Sequence, residues 1–155
     1  MKKQRIYKAI FIIFTIGVAL AIYHNSMFEI RQSDIQSGAV LKVFNRLFAR
    51  AGIPLTLTQY LVRKSAHFME YLIFGTVMTI TLNISSKRLH QNLFFELFFL
   101  LAVPVLDEYI QIFYSGRNSS VTDIIIDFAG GLAGMGLCRL LIRLINRVRH
   151  GKTSS

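Results

Sequence analysis

The stretch of sequence that decides the fold is 121–145, VTDIIIDFAGGLAGMGLCRLLIRLI. As a helix it is long and apolar enough to cross the hydrocarbon core of a bilayer, which takes about 20 mostly apolar residues. Asp123 and Asp127 lie one helical turn apart on one face, and Gly130 and Gly134 continue that face. Because small residues at four-residue spacing let two helix backbones approach closely, this face is predicted to pack against another helix rather than against lipid.

Three more apolar segments precede it, at about 6–23, 66–84 and 93–114. The chain of 155 residues is 53% hydrophobic with a mean hydropathy of +0.47, which is too apolar for an ordinary soluble domain of this length. The expected fold class is therefore all-α, an integral membrane bundle of about four transmembrane helices that forms one domain over 1–155. The first segment ends in Ala19-Leu20-Ala21, which resembles a signal-peptidase site, but we favour a retained helix because further spans follow.

The connection between the first two spans contains a further helical pattern at about 37–51. Apolar residues recur there at helical spacing, and Lys42, Arg46 and Arg50 fall on the opposite side. This pattern predicts an amphipathic helix that lies in the membrane interface with its basic residues toward the headgroups. The alternative is a helix that packs on the bundle and exposes its basic face to solvent.

The net charge of +10 comes mostly from basic residues that flank the apolar segments. In a soluble protein such a charge would suggest nucleic acid, but this distribution is typical of membrane topology and anionic headgroups, so we expect no nucleic-acid partner. Most of the flanking bases precede the first span, lie between the second and third, or follow the fourth, which predicts that both termini are cytoplasmic. The single cysteine, Cys138, excludes an intrachain disulfide and a multi-cysteine metal site.

Antiparallel threading brings the start of the second span, the end of the third and the start of the fourth to one membrane face. Polar residues concentrate at those three places: Arg63, Lys64, His67, Glu70, Asp107, Glu108, Gln111, Arg117, Asp123 and Asp127. Four of the eight acidic residues of the chain, Asp107, Glu108, Asp123 and Asp127, lie within the hairpin of the third and fourth spans. An ionisable side chain inside a span is costly unless it is paired or hydrated, so such residues usually line a cavity. We therefore predict a polar pocket that opens to the outer face.

Several roles fit this pocket. Lys64, His67 and Arg117 could hold a phosphate or carboxylate group of a ligand. For an enzyme, the catalytic candidates are His67, Asp107, Glu108 and Asp123. Buried carboxylates and a histidine could also relay protons, and a structural network that locks three helices together is the remaining alternative. No nucleophile motif or zinc-binding spacing is present, so we assign no metal ligand and no cofactor, although a divalent cation held by the acids stays open.

In these residues the sequence resembles the VanZ-like family of membrane proteins. The matching positions are Lys64-Ser65-Ala66-His67-Phe68 with Tyr71, and Asp107-Glu108 with Gln111, Phe113, Gly116-Arg117, Asp123 and Gly130. The resemblance implies a shared polar set, which consists of Lys64, His67, Glu108, Gln111, Arg117 and Asp123. Asp127 departs from the family pattern, which usually has Asn at this position.

The namesake of this family is associated with resistance to the glycopeptide antibiotic teicoplanin, which acts outside the cytoplasmic membrane. The resemblance thus implies a multi-pass cell-envelope protein of the bacterial cytoplasmic membrane. Its expected function is to bind an anionic lipid-linked component, such as a cell-wall precursor, at the outer face. The alternatives are a metal-assisted intramembrane enzyme that acts on a lipid-linked phosphate, and a proton or ion pathway. The Gly130 and Gly134 face could also serve a second copy, so a homo-oligomer stays open.

Overall fold

The computed structural model describes residues 2–27, 30–85, 89–114 and 119–151, and these ranges contain helices and no strand. The helices are α1 (Lys2–Ser26), α2 (Ile30–Arg50), α3 (Gln59–Ser85), α4 (Leu89–Gln111) and α5 (Val121–Gly151). The predicted all-α class is confirmed. The helices run somewhat beyond most of the predicted bounds. The largest differences are at the starts of α2 and α3, which were expected at 37 and 66.

Three of the helices are long and apolar enough to cross a membrane, namely Lys3–Ser26, Gln59–Ser85 and Val121–Arg149. The 23-residue α4 has the length for a span, but it carries three acids, Glu96, Asp107 and Glu108, all of which are buried inside the bundle. A helix that turns its acids inward and leaves large apolar side chains exposed fits a place in a membrane bundle. The count of four spans therefore stays a prediction, with α4 as the fourth.

The closest packing in the bundle is between α3 and α5, where the two backbones touch. A Cβ atom added at Gly130 or Gly134 would overlap the backbone carbonyl oxygen of Phe68 or Leu72, respectively. A Cβ on Gly75, on the α3 side, would overlap backbone atoms of α5 in the same way. The predicted packing of the Gly130 and Gly134 face is thus confirmed, and its partner is α3.

The apolar core lies where α1, α3 and α4 meet and is formed by Ile22, Tyr71, Phe74, Leu100 and Val103. The amphipathic α2 lies outside this core and packs on α3. It ends at the turn of Gly52, whose φ of 68° is the left-handed conformation that suits glycine after a helix. The amide of Leu57 then donates to Asn45 Oδ1 at 2.9 Å, which holds the connecting loop against α2.

The two faces of α2 have the predicted composition. Lys42, Arg46 and Arg50 are all exposed, and so are Val43 and Leu47. Exposed apolar and basic residues on one helix are typical of a helix at the membrane interface. Its amphipathic character is confirmed, while its location in the interface stays a prediction.

Candidate functional site

The structure brings the predicted polar residues of three helices together at one end of the bundle. Lys64 lies in the second turn of α3 and His67 in the third. Thr58 caps the start of this helix by accepting a hydrogen bond from the Leu61 amide. Asp107, Glu108 and Gln111 lie in the last turns of α4, and Asp123 and Asp127 in the first two turns of α5. Arg117, the remaining predicted member, lies outside the described residues.

Lys64 forms an ion pair with Asp123 that joins α3 to α5. Both side chains are largely buried, and the Lys64 ammonium also lies 5.3 Å from the centroid of the Tyr60 ring. A buried ammonium that already pairs with a carboxylate has little charge to offer a ligand. Lys64 is one of the residues predicted to bind an anion. Its charge is instead used in the ion pair with Asp123.

Glu108 connects the end of α4 to the start of α5. Its Oε2 atom accepts a hydrogen bond from the backbone amide of Ser120 at 2.9 Å. Ser120 in turn caps α5 by accepting a hydrogen bond at Oγ from the Thr122 amide. A carboxylate is favourable at this position because the first amides of a helix carry partial positive charge. Glu108 thus has a structural role in joining the end of α4 to the start of α5.

Below these contacts, His67, Asp107 and Asp127 form a compact group of potential metal ligands. One ligand atom from each residue lies within 4.8 Å of those of the other two. Asp107 and Asp127 are 0% and 1% exposed, and His67 is partly buried. We call these three residues the carboxylate–histidine cluster.

The hydrogen bonds of this cluster are incomplete among the described residues. Asp107 Oδ2 accepts a hydrogen bond at 3.1 Å from Gln111 Nε2, which also lies 3.5 Å from Ser26 Oγ. Asp107 Oδ1 and both carboxylate oxygens of Asp127 are buried and have no hydrogen-bond partner in the described part of the chain. The hydroxyl of Tyr71 lies close to Asp107 and within electrostatic range of Asp127. Buried polar atoms in native proteins are nearly always satisfied, so these carboxylate oxygens mark a candidate site.

The glycine contact between α3 and α5 explains why the cluster is so compact. Gly130 touches the backbone of Phe68, the residue after His67. Asp127 precedes Gly130 by about one helical turn, so its side chain is brought to the level of His67. The short side chain of Asp127 can reach His67 because no Cβ separates the two helices.

A cavity of about 600 Å³ lies beside the cluster, between α2, the loop after it and α3. Its walls are mainly apolar and include Val40, Phe44, Phe48, Leu57 and Leu61. Its polar lining lies mostly on α3 and includes Arg63, Ser65, His67 and Glu70, with Asn25 of α1 donating to Glu70 at 2.8 Å. His67 therefore belongs both to the cavity and to the carboxylate–histidine cluster.

The fourth acid of the bundle interior, Glu96, belongs to a separate network. Its carboxylate accepts hydrogen bonds from Thr79 of α3 and Arg139 of α5. This network lies toward the opposite end of α4 from Asp107. Glu96 therefore faces the interior of the bundle, and its charge is paired with Arg139 of α5.

Comparison with known proteins identifies the family. The VanZ/LLP1 family model matches residues 9–143. This chain belongs to the VanZ/LLP1 family. The match covers nearly all of α1 to α5, including every residue of the carboxylate–histidine cluster and the whole α2 cavity. No curated protein and no solved structure matches the chain. The VanZ/LLP1 assignment therefore rests on the family model, and it extends the resemblance found in α3 to α5 to α1 and α2.

Sequence reasoning missed two parts of this VanZ/LLP1 site. Ser26, at the end of α1, lies against Gln111 and is buried, but nothing in its sequence context distinguishes it from other serines. The cavity was also missed, because it exists only where the apolar side of α2 meets α3. The helical spacing of Val40 and Phe44 was the available signal for this cavity. It predicted the helix α2 but not that α2 packs against α3.

Proposed function

We propose that this VanZ/LLP1 protein binds an anionic lipid-linked component of the cell envelope at the outer face of the bacterial cytoplasmic membrane. The cavity between α2 and α3 is the observation that supports this most directly. An amphiphile needs an apolar surface for its chain and a polar group for its head, and this cavity offers both. Phe44, Phe48 and Leu61 would contact the chain, while Arg63 and His67 would contact the phosphate.

The charges near the cavity favour an anionic head group. Arg63 lies at the polar wall, and a guanidinium can hold a phosphate through two parallel hydrogen bonds. The exposed Lys42, Arg46 and Arg50 of α2 would attract anionic lipids to this side, at about 1 kcal/mol for each base near the surface. We therefore assign the phosphate to Arg63, together with His67 and Arg117 from the predicted set of Lys64, His67 and Arg117.

Lipid binding is tested with the full-length protein in phosphatidylcholine nanodiscs that contain a polyprenyl phosphate. We expect Arg63→Gln to weaken binding about tenfold, because it removes one charge-assisted contact with the phosphate. Native mass spectrometry of the released complexes measures the bound fraction.

Arg143→Gln is the matched control, because Arg143 is exposed on α5 and does not line the cavity. Phosphatidylglycerol at equal charge, in place of the polyprenyl phosphate, reports the general attraction of the basic protein for anionic lipids. Equal binding of the polyprenyl phosphate by wild type and Arg63→Gln, with both proteins folded, would refute the proposed head-group site.

The association of the family's namesake with teicoplanin provides a cellular test. In a Gram-positive host we expect the wild-type protein to raise teicoplanin tolerance and an Arg117→Ala/Asp123→Asn double variant to lose this effect. The double variant removes one proposed cation and breaks the ion pair with Lys64. Membrane insertion of both proteins is checked by fractionation. An unchanged inhibitory concentration with wild type would show that the antibiotic association does not extend to this protein.

A further inference from the structure

We infer that His67, Asp107 and Asp127 bind one divalent cation of the manganese or zinc class inside the bundle, between α3, α4 and α5. This site does not depend on the proposed lipid binding, because its ligand atoms face the interior and only His67 is shared with the cavity. The inference rests on the geometry of the three donors, on the hydrogen bonds of the two acids and on the arrangement of charge around them.

The three donors are close to the separation that a bound ion imposes. Zinc binds nitrogen and oxygen ligands at about 2.0–2.2 Å, so the ligand atoms of one tetrahedral ion lie about 3.4 Å from one another. The ligand atoms of His67, Asp107 and Asp127 are already within 4.8 Å of one another. Binding would draw each ligand atom inward by at most about 1 Å.

The unpaired oxygens provide the second, independent observation. Asp127 is 1% exposed, and neither of its carboxylate oxygens has a hydrogen-bond partner among the described residues. Asp107 Oδ1 is equally unpaired there, whereas Oδ2 is held by Gln111. A ligand carboxylate in a metal site typically has one oxygen directed at the ion and the other held by an outer hydrogen bond. Asp107 has this arrangement.

The charge balance leads to the same conclusion. Two buried carboxylates at this separation repel each other unless a cation or a shared proton offsets their charge. Lys64 lies on the same side of α3 as His67, but its ammonium pairs with Asp123. A divalent ion would balance both carboxylates at once and would also use the imidazole nitrogen, which a shared proton does not require.

The mixed donor set selects the class of ion. Calcium and magnesium prefer oxygen donors throughout, whereas an imidazole nitrogen favours the transition metals and zinc. Two carboxylates with one imidazole form a set that manganese and zinc both accept. The alternative function is a metal-assisted enzyme that acts on a lipid-linked phosphate. A divalent ion bound here would be the metal centre of such an enzyme.

The test uses the full-length protein in detergent, freed of metal with a chelator and then titrated with Mn²⁺ while the free ion is measured by electron paramagnetic resonance. We expect one Mn²⁺ per chain and an affinity at least tenfold lower for Asp127→Asn, which keeps the size of the side chain and removes its charge. Zn²⁺ should compete for the same site. Glu96→Gln is the matched control, because it neutralises another buried carboxylate of the bundle, in the separate network with Thr79 and Arg139, and should keep the binding.

Folding of each variant is monitored by circular dichroism and by size-exclusion chromatography. Absence of stoichiometric Mn²⁺ and Zn²⁺ binding by the folded wild-type protein would overturn the inference. An infrared band of a protonated carboxyl group that disappears in Asp127→Asn would then identify a shared proton as the balancing charge. Equal Mn²⁺ affinity of wild type and Asp127→Asn would also overturn the inference of a metal site. Polyprenyl phosphate binding measured in chelator separates this outcome from a failure of the proposed lipid site.

Discussion

Arg139→Gln is expected to destabilise the bundle by about 3–5 kcal/mol, because it leaves a buried carboxylate without its counter-charge. Glu96 is 1% exposed and accepts hydrogen bonds from Arg139 and Thr79 only, as far as the described contacts extend. Thr79 is a neutral donor, so the loss of the guanidinium leaves the charge of Glu96 uncompensated inside the bundle. The free energy of unfolding in mixed micelles, measured by titration with a denaturing detergent, gives the size of the effect.

Arg143→Gln is the control, because Arg143 lies one turn further along α5 and is exposed. Its removal should change the unfolding free energy by less than about 1 kcal/mol. The double variant Glu96→Gln/Arg139→Gln should recover most of the loss, since it removes both charges together. If the single variant Arg139→Gln were as stable as Arg143→Gln, the contact with Glu96 would not be a significant source of stability.

The helices of this protein could be predicted from the sequence because their apolar segments are long and their ends are marked by polar residues. The early start of α3 has a local cause. Thr58 caps this helix, so α3 begins at Gln59, seven residues before the predicted start at 66. Arg63 and Lys64, expected beside the span, consequently lie within α3 and face the bundle or the cavity.

The members of the site were predictable, but their pairing was not. Antiparallel threading fixes which helix ends meet, and this was sufficient to place His67, Asp107 and Asp127 together. Which carboxylate Lys64 approaches depends on the rotation of α3 about its axis, and that rotation is set by the glycine contacts with α5. The stripe in α5 was visible in the sequence, whereas the isolated Gly75 of α3 carried no comparable spacing signal.

The second large effect is expected at that glycine contact, where Gly134→Ala should destabilise the bundle by about 3 kcal/mol. An added Cβ would overlap the carbonyl oxygen of Leu72 and would approach the Thr76 amide nitrogen to 2.9 Å. Both are backbone atoms of a helix and cannot rotate away, so α3 and α5 would have to separate. The same micelle titration measures the loss.

Gly136→Ala separates this steric effect from the general consequence of replacing glycine in a helix. Gly136 lies on the same helix as Gly134, and a Cβ there would meet nothing within 4 Å. Alanine has the better helix propensity by about 1 kcal/mol, so Gly136→Ala should be neutral or stabilising. Opposite signs for the two substitutions would establish direct backbone contact between α3 and α5, while equal effects would contradict it.

Because Gly130 belongs to the same contact, Gly130→Ala should in addition move Asp127 away from His67 and weaken Mn²⁺ binding, whereas Gly136→Ala should leave Mn²⁺ binding unchanged.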